Sequence, residues 1–586
     1  MNTKIMSYQF LIISIILSVL IGASGLFFPI LTSTFNPYYA NIAKHIILSN
    51  NWYNLILSNQ DWLDKPHLPF WLTAISFTIF GITSFAYILS GFICNIVGVY
   101  YTYKLAKIIY NKQIAILSIL FYLTTLHLML SAIDVRAEAY LMPSIMGASY
   151  YLLKYYNNNK LSSMLMAAMF IALALMTKGI FILITIFSGL IILCILQHNY
   201  RQFLSLKWYL LLLLAFILIA PELISLYLQF DNNPEKIVFG VNHVSGIKWF
   251  FWDSQFGRFF NTGPIMTTNP MSYHYLFFVH TFLWAYLPWS PLFVIYLIYI
   301  IKQMIKRNYV SIDIYQYYLL ASFFITFILF SATSFQVDHY TNIIFPFANI
   351  LCAKYIYDIL LTKQLSWLKI VTNINIIVSI VLLILLIIFS YIVYHNPLIT
   401  IIISITSILF ILYYKKYISD KCVSYIKIML LPIVAINSIF LFLMFINGTE
   451  YIKYDAGYQL AKHMNIIIKD NNKLIKNTQI FVYKLNDMSL DFHIKNNSHN
   501  YHLINNFDSI NNIFTKHYQN NDIYLITPID QLNAINQHFT YQIVSNKIFG
   551  ASIEGYMQNL IKKLHNKTQE QQLSQYIILQ VISQKH

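Results

Sequence analysis

Charged residues are scarce in this sequence. Asp, Glu, Lys and Arg together make up only 10% of its 586 residues, whereas apolar residues make up 58%. The apolar residues form long runs separated by short loops, and no soluble core needs so many such runs. The composition therefore excludes a soluble globular protein and predicts a membrane protein that crosses the bilayer many times.

Several familiar site types are also missing. The four cysteines, of which Cys422 is the last, are scattered without metal-ligand spacing, so the region after it cannot hold a disulfide. That region also has no Gly-rich phosphate loop, nucleophile elbow or zinc pattern. We expect no cofactor. Outer-loop carboxylates can bind a divalent metal, but lysines and an arginine neutralise a phosphate unaided, so metal independence is favoured.

The formal net charge of +16 does not come from a basic domain, and nucleic acid is not an expected partner. Lys and Arg instead cluster in short loops between apolar runs, as the positive-inside rule predicts. Thirteen spans with a cytoplasmic N-terminus put these loops inside, whereas fourteen would invert every loop after residue 80. The expected spans are 10–31, 84–108, 113–132, 137–155, 161–177, 179–197, 207–228, 274–301, 315–334, 340–361, 367–394, 398–415 and 425–446.

The apolar run Leu68–Phe80 is not counted among the spans. Its length of about 13 residues is too short to cross a hydrocarbon core of roughly 30 Å. It follows the charged, Pro- and Trp-rich stretch Asp61–Trp71, and Trp rings prefer the membrane interface. Two interpretations stay open: an interfacial helix that only anchors the chain, or a charged site held at the membrane surface.

The predicted fold is an all-α polytopic membrane domain of about 13 helices, followed by a small α/β domain. The membrane domain covers residues 1–446 and has periplasmic loops at 32–67 and 229–273. In the first of these loops, the apolar spacing of Tyr39–Leu48 predicts an amphipathic helix along the membrane. The second domain, 447–586, is expected on the periplasmic side.

The composition of the second domain differs from that of the first. Apolar spans stop, and Asn, Lys, Asp and Gln become more frequent. Ile480–Tyr483 and Ile523–Ile526 have the pattern of short buried strands, and helices are expected near 451–469 and 553–565. A polar tail rich in Gln and Lys ends the chain.

Ionisable side chains on the predicted outer side are the candidate site residues. Charges at membrane depth are costly, so they usually pair or face a cavity. Carboxylates mixed with separate Lys and Arg suit an anionic, membrane-bound substrate such as a lipid phosphate. The candidates are Asp61, Asp64, Lys65, His67, Asp134, Arg136, Glu138, Lys178, Arg258, Asp338 and His339.

Each candidate also has a purely structural alternative. Asp134, Arg136 and Glu138 can pair with one another in a short loop. Lys178 can cap a helical hairpin by reaching the interface. Arg258 can be a solvated loop charge.

The two histidines have structural alternatives as well. His339 beside Tyr340, at the start of a helix, can be a structural hydrogen-bonding residue. His67, between Pro66 and Leu68, can be a packing residue.

Six ordered segments together resemble the GT-C class of membrane glycosyltransferases. Within that class they are most similar to the bacterial aminoarabinose (lipid A) transferase and protein O-mannosyltransferase-like superfamily. The order and spacing of the segments carry the resemblance, which covers most of residues 10–360. The segments are Tyr39-Ala40-x-Ile42-Ala43, Asp64–Leu72, Leu175–Gly179, Arg258-Phe259, Tyr286–Ser290, and His339-Tyr340 with Phe345-Pro346.

The resemblance implies sugar transfer from a polyprenyl phosphate at the outer face of the bacterial inner membrane. The expected carrier is undecaprenyl phosphate. No nucleotide sugar would be used. Lys65 and Arg258 would hold the donor phosphate and stabilise it as it leaves. Three further residues are assigned to phosphate binding: Lys178, Tyr340 and His339. The candidate catalytic carboxylates are Asp134, Glu138 and Asp64.

The chain departs from the family where an Asp-Glu pair normally precedes the first-loop helix. Phe35 and Asn36 stand there instead, and Gln336 replaces a common Lys before His339. A phosphate acceptor is already largely ionised near neutral pH and needs no strong base. The departure therefore favours a phosphate acceptor, such as lipid A, over a protein hydroxyl. The predicted function is transfer to lipid A phosphate or a related envelope glycan. A protein O-glycosyltransferase, and a non-catalytic carrier flippase or scaffold, are the alternatives.

Overall fold

A computed structural model gives the architecture of most of the chain. It describes residues 2–29, 36–262, 264, 276–305, 313–333, 336–394, 405, 425–449, 451–470, 478–485, 487–495, 501–504, 522–550 and 574–584. Three predicted segments lie outside these residues: the span at 398–415 (apart from residue 405), the helix at 553–565, and the polar tail up to the last strand.

Most of the described membrane region is helical, and one short antiparallel hairpin pairs Ile56–Leu57 with Gln60–Asp61 in the first loop. The order of the helices along the chain follows the apolar runs, with short polar or Gly-containing breaks between them. The longer ones are Asn2–Ser24, Asn36–Ser49, Leu68–Phe80, Ser84–Ile109, Lys112–Leu123, Ala137–Asn158, Leu161–Lys178, Ile182–Leu196, Leu206–Leu218, Phe277–Ala285, Ser290–Ile305, Ile314–Ser331, Phe345–Leu361, Leu365–Tyr394 and Tyr425–Thr449. Short helices are Leu126–Ser131 and Ala220–Leu226.

Seven of the described helical segments are long and apolar enough to cross a membrane, and two bent helix pairs raise that number to nine. The polytopic all-α region is therefore confirmed, whereas the count of thirteen remains a prediction. Three expected spans are interrupted in the structure. The span 113–132 is divided into Lys112–Leu123 and Leu126–Ser131, and in 207–228 the helices Leu206–Leu218 and Ala220–Asp231 meet at 44°. Residues 274–301 do not form one straight helix, because Phe277–Ala285 and Ser290–Ile305 meet at 116°. Pro288 lies in the break, where it cannot donate the hydrogen bond that a continuing helix needs.

The helix Leu68–Phe80 has the 13 residues expected from the sequence. At 1.5 Å per residue it is about 20 Å long, well short of a hydrocarbon core. Pro69 stands at its start and Gly81, with φ of 77°, ends it. The predicted helix is confirmed, and its place in the interface remains a prediction.

The first-loop helix, Asn36–Ser49, packs against Leu68–Phe80. Its inward face is apolar at the predicted spacing and includes Tyr39, Ala43 and Ile46, all buried. The Tyr39 ring lies 5.0 Å from that of Phe70. Aromatic and aliphatic burial of this kind fixes the helix along the top of the membrane region.

The C-terminal unit is a mixed sheet with helices on its faces, as predicted. Its strands are β1 Thr478–Tyr483, β2 Tyr501–Ile504, β3 Asp522–Pro528, β4 Phe539–Ile543, β5 Ile548–Gly550 and β6 Ser574–Gln584, ordered β2-β1-β3-β6-β4 with β5 also on β6. Strands β1, β2 and β3 are parallel, and β6 is antiparallel to β3. The helix Ala456–Asp470 covers one face, and the short helices are Met488–His493 and Leu532–His538.

Two polar side chains join the C-terminal unit to the first-loop helix. The Lys44 ammonium donates to the carbonyl oxygens of Asp491, Phe492 and Ile494. Asn41 Nδ2 donates to the Met488 carbonyl at 2.9 Å. Because both side chains are buried, these bonds set the position of the C-terminal unit over the membrane region.

Candidate active site

Asp64 holds two cations that are far apart in the sequence. Its Oδ2 accepts from Lys65 Nζ at 2.8 Å, and its Oδ1 accepts from Arg258 Nη2. Asp64 and Arg258 are 194 positions apart. All three side chains are mostly buried, so their charges act with little screening by water. The sequence predicts that Lys65, Asp134 and Arg258 meet in a single cavity, and the structure brings together Lys65 and Arg258 of these three.

The charge state of Asp64 follows from these contacts. Burial on its own would raise the pKa of this carboxyl, but Lys65 and Arg258 more than offset burial and hold the pKa well below its usual range. Asp64 therefore stays ionised, and so it is a weak base. Burial likewise disfavours the charge of Arg258, but Asp64 outweighs it and raises the guanidinium pKa.

The long loop before residue 262 brings Arg258 to this place. A helical segment with wide turns, Trp249–Gly257, ends directly before Arg258. The guanidinium carbon lies 5.3 Å from the Trp249 ring, within range of a cation–π contact. Arg258 is thus held between a carboxylate and an aromatic face, and it is not the solvated loop charge that the structural alternative supposes.

A second ion pair joins Glu138 and Lys178. Lys178 Nζ bonds to Glu138 Oε1 and lies 3.6 Å from the centroid of the Tyr340 ring. Lys178 is the last residue of Leu161–Lys178 and is mostly buried, so it does not reach outward to cap a hairpin. Gly179 follows with φ of 91°, and a Cβ there would lie 2.7 Å from Gln255 Nε2. The predicted Lys-Gly motif therefore meets both a backbone and a packing requirement.

His339 connects this pair to Arg136. The Arg136 Nη1 donates to His339 Nδ1 at 2.7 Å, which leaves the proton of a neutral ring on Nε2. That nitrogen lies 3.7 Å from Glu138 Oε2. Asp338 Oδ1 is also near His339 Nδ1, at 3.1 Å, but the contact with Arg136 is shorter. His339 thus accepts a hydrogen bond from Arg136 and lies beside Glu138, the partner of Lys178.

Asp134 is not where we expected it. It pairs with Arg136, which reaches its Oδ2 from Nε at 2.9 Å and from Nη2 at 2.8 Å. It does not line the cavity of Lys65 and Arg258, because the loop before Ala137–Asn158 directs its side chain to Arg136. Pairing among the three loop residues holds only in part, since Glu138 bonds to Lys178 instead.

One cavity of about 850 Å³, its open mouth included, contains five of the predicted residues. They are Asp64, Lys65, Lys178, Arg258 and Tyr340. Much of the remaining wall is aromatic or aliphatic and includes Phe181, Leu226, Trp249, Phe250, Phe259 and Phe330. A cationic end beside an apolar wall suits a lipid phosphate, because the phosphate meets the cations while the chain stays out of water.

Glu222, which also lines this cavity, is a site residue that the sequence analysis missed. Its Oε2 accepts from the backbone N–H of His67, and its Oε1 lies 2.9 Å from His67 Nδ1. His67 Nε2 lies 3.0 Å from the Tyr53 carbonyl oxygen, which can only accept. Both ring nitrogens thus lie within hydrogen-bond distance of an oxygen, so the imidazole is held on two sides. The sequence signal was a lone carboxylate inside the apolar run 207–228.

His67 is thereby more than a packing residue. It is fully buried, and its bonds to Glu222 hold the turn that carries Asp64 and Lys65. Asp61, at the other end of the turn, pairs with Lys236 at 2.9 Å. Asp61 therefore belongs to the support of the loop.

Two predictions about the site remain untested. Phe35 lies outside the described residues, and Asn36 starts the first-loop helix without a described side chain. Among the residues that the structure describes, no three His, Cys, Asp or Glu side chains are grouped to hold a metal ion. Metal independence stays a prediction.

Comparisons with known proteins place this geometry in a fold class. Residues 64–224 match the family described as dolichyl-phosphate-mannose-protein mannosyltransferase. Over 98% of each chain, the fold is similar to ArnT from Cupriavidus metallidurans in the apo state, with a TM-score of 0.66 and 13% identity. The chain has the GT-C glycosyltransferase fold. The fold implied by the resemblance is confirmed, and the family match covers residues 64–224.

Two further comparisons concern a lipid phosphate. The GT-C fold of this chain is also similar to ArnT from Cupriavidus metallidurans bound to undecaprenyl phosphate, with a TM-score of 0.66 and 14% identity, over 92% of this chain and 96% of that one. An undecaprenyl phosphate-alpha-4-amino-4-deoxy-L-arabinose arabinosyl transferase 2 of Proteus mirabilis is 31% identical over 87 residues. This match spans 15% of the chain and only 16% of that curated relative.

Proposed function

We propose that the chain is an inner-membrane glycosyltransferase that moves a sugar from undecaprenyl phosphate, or a similar polyprenyl phosphate, to lipid A phosphate or a related envelope glycan. The observation that supports this most is the pair of cations, Lys65 and Arg258, held by Asp64 at one end of an apolar-walled cavity. Two of the similar proteins, ArnT bound to undecaprenyl phosphate and the arabinosyl transferase of Proteus mirabilis, are named for a carrier of this kind.

The cavity residues have defined roles in this reaction. An acceptor oxygen attacks the anomeric carbon, and the bond between that carbon and the phosphate oxygen breaks. The electron pair stays on the phosphate, which leaves with more negative charge than it had. Lys65, Arg258 and Lys178 stabilise this charge, and Asp64 and Glu138 keep those cations in place.

The carboxylates favour an acceptor that is already ionised. Asp64 is a weak base because its pKa is low, and Glu138 is bonded to Lys178. An alcohol acceptor needs a base that takes its proton, whereas a phosphate oxygen does not. A phosphate of lipid A is therefore our first acceptor.

A protein hydroxyl is the second candidate acceptor. The matched family over residues 64–224 is described as a protein mannosyltransferase. This candidate needs a base outside the ion pairs described above. Asp134, whose Oδ1 is buried and accepts no hydrogen bond within the described residues, is the nearest candidate in the Arg136 cluster.

Mass spectrometry of lipid A tests the first proposal. A strain lacking the gene is complemented with the unsubstituted chain, with Lys65→Met, or with Lys248→Met, whose side chain is 67% exposed on the long loop. We expect loss of one sugar mass in the deletion strain and in Lys65→Met, and its return with the other two. An unchanged lipid A profile in the deletion strain would contradict this acceptor and favour the protein hydroxyl.

The membrane arrangement is part of the same proposal. The loops 32–67 and 229–273, together with the domain 447–586, lie on the periplasmic side, and the N-terminus is cytoplasmic. The sugar lipid then reaches the cavity from the outer leaflet. Cysteine labelling with a membrane-impermeant reagent at exposed Asn232 tests this side, and labelling only after membrane rupture would contradict it.

A further inference from the structure

A second, larger cleft lies between the C-terminal unit and the membrane region. Its volume is about 2740 Å³, open mouth included. It shares no lining residue with the cavity of Lys65 and Arg258. The cleft is therefore a separate feature of the molecule.

One wall of the cleft is basic. The helix Ala456–Asp470 turns a single face toward it, because Tyr458, Lys462, Asn465, Ile466 and Lys469 recur at three- and four-residue spacing. The opposite face of this helix packs on the sheet through its apolar residues. The helix therefore has a fixed orientation, and its two lysines belong to the cleft.

The charges of the cleft are all of one sign. Lys495 and Lys44 join Lys462 and Lys469 on its lining, and the described lining contains no Asp or Glu. Lys462, Lys469 and Lys495 are exposed, whereas Lys44 is buried and tied to backbone carbonyls. Three ammonium groups are thus directed to the same open space, which favours an anion there.

The facing wall is apolar and lies at the ends of two membrane spans. Phe27, which ends the candidate span Tyr8–Phe27, is 80% exposed, and Phe28 and Phe85 lie beside it on the lining. The candidate span Ser84–Ile109 begins next to them. Ile466 on the basic wall is 47% exposed as well. Apolar side chains at such a boundary contact lipid chains more favourably than water.

We propose that this cleft binds a phosphate-bearing membrane lipid, with the headgroup on Lys462, Lys469 and Lys495 and the acyl chains along Phe27 and Phe85. A lipid matches the cleft because it alone combines an anionic head with chains that continue into the bilayer at the same place. The bound lipid holds the C-terminal unit to the membrane beside the first-loop helix. The site exists whether or not the first cavity transfers a sugar.

Native mass spectrometry of the full chain with added phosphatidylglycerol tests the site. Each lysine near an anionic headgroup contributes about 1 kcal/mol, which is a factor of about five in affinity. We expect the double variant Lys462→Gln, Lys469→Gln to bind at least tenfold more weakly than the unsubstituted chain. The matched control is Lys484→Gln with Lys547→Gln, two exposed lysines of the same unit outside the cleft, and it should stay within twofold.

Two further experiments distinguish lipid bound in the cleft from lipid bound in the first cavity and from a plain phosphate anion. Titrations in a Lys65→Met background remove lipid held by the first cavity and should leave the difference between the two double variants unchanged. Glycerol 3-phosphate, which has the head but no chains, should bind at least tenfold more weakly than the lipid.

Equal lipid affinities of the two double variants, with unchanged melting temperatures, would overturn the assignment. So would equal affinities of the lipid and glycerol 3-phosphate, which would indicate a plain anion site. A loss confined to Lys65→Met would place the lipid in the first cavity. None of these results bears on sugar transfer, which the lipid A measurement tests separately.

Discussion

Replacing Arg258 with Gln is expected to weaken the binding of undecaprenyl phosphate to the full chain about 30-fold. Three cations at the cavity, Lys65, Lys178 and Arg258, are opposed by the two carboxylates Asp64 and Glu138. These five groups sum to one net positive charge beside the phosphate site, and Glu222, which also lines the cavity, bonds to His67. The substitution removes that charge and leaves the rest of the cavity wall in place.

The magnitude follows from the geometry of the ion pairs. Two unit charges about 4 Å apart interact by about 4 kcal/mol at an effective dielectric constant of about 20. Arg258 already bonds to Asp64, so we assign the phosphate about half of this energy, about 2 kcal/mol, which is the 30-fold loss in affinity. Arg258→Lys keeps the charge but loses the planar fork and its fit to Trp249, and about a fivefold loss is expected.

Equilibrium binding of radiolabelled undecaprenyl phosphate to purified protein in detergent measures these losses of affinity. Lys248→Gln is the control, because Lys248 lies on the same loop with its side chain 67% exposed, and its affinity should stay within twofold. Thermal unfolding of each variant checks the fold. If folded Arg258→Gln binds within threefold of the unsubstituted chain at low salt, the role of the guanidinium in holding the phosphate is refuted.

Three more predictions concern carboxylates. Asp64→Asn should destabilise the fold by about 3 kcal/mol at pH 7, because two mostly buried cations lose their partner. Since the folded pKa of Asp64 is depressed, this contribution to stability is present above about pH 4 and is lost as the pH falls through the folded pKa. The melting temperatures of the variant and of the unsubstituted chain should therefore converge in acid. Glu222→Gln should lower stability by about 2 kcal/mol, because His67 loses a charged acceptor, whereas Glu235→Gln at an exposed position should leave the melting temperature unchanged. Asp134→Asn should keep the lipid A mass shift in cells, because Asp134 pairs with Arg136 outside the cavity and a phosphate acceptor needs no base. Loss of the shift at unchanged expression would instead make Asp134 part of the reaction.

Local patterns in the sequence predicted individual elements well. The helix Leu68–Phe80 and the first-loop helix follow directly from apolar spacing, and the buried strands around Ile480–Tyr483 and Ile523–Ile526 follow from short apolar runs. The apolar pattern predicts these elements because each helix buries one face and each of the two strands buries both faces. It missed the interruptions in residues 113–132, 207–228 and 274–301, because hydropathy continues through each break; in the last, Pro288 is the signal.

The candidate site was predicted in part, because motif order indicated the residues but not their partners. The sequence alone determined that the chain is a polytopic membrane protein with an α/β end, since composition and apolar period depend on no long-range contact. It also indicated Lys65 and Arg258. Only the tertiary structure decided that both meet on Asp64, that Asp134 turns to Arg136, and that Lys462 and Lys469 line a cleft with Phe27 and Phe85. Pairing across such sequence distances depends on how helices and loops pack, and packing leaves no periodic trace in the chain.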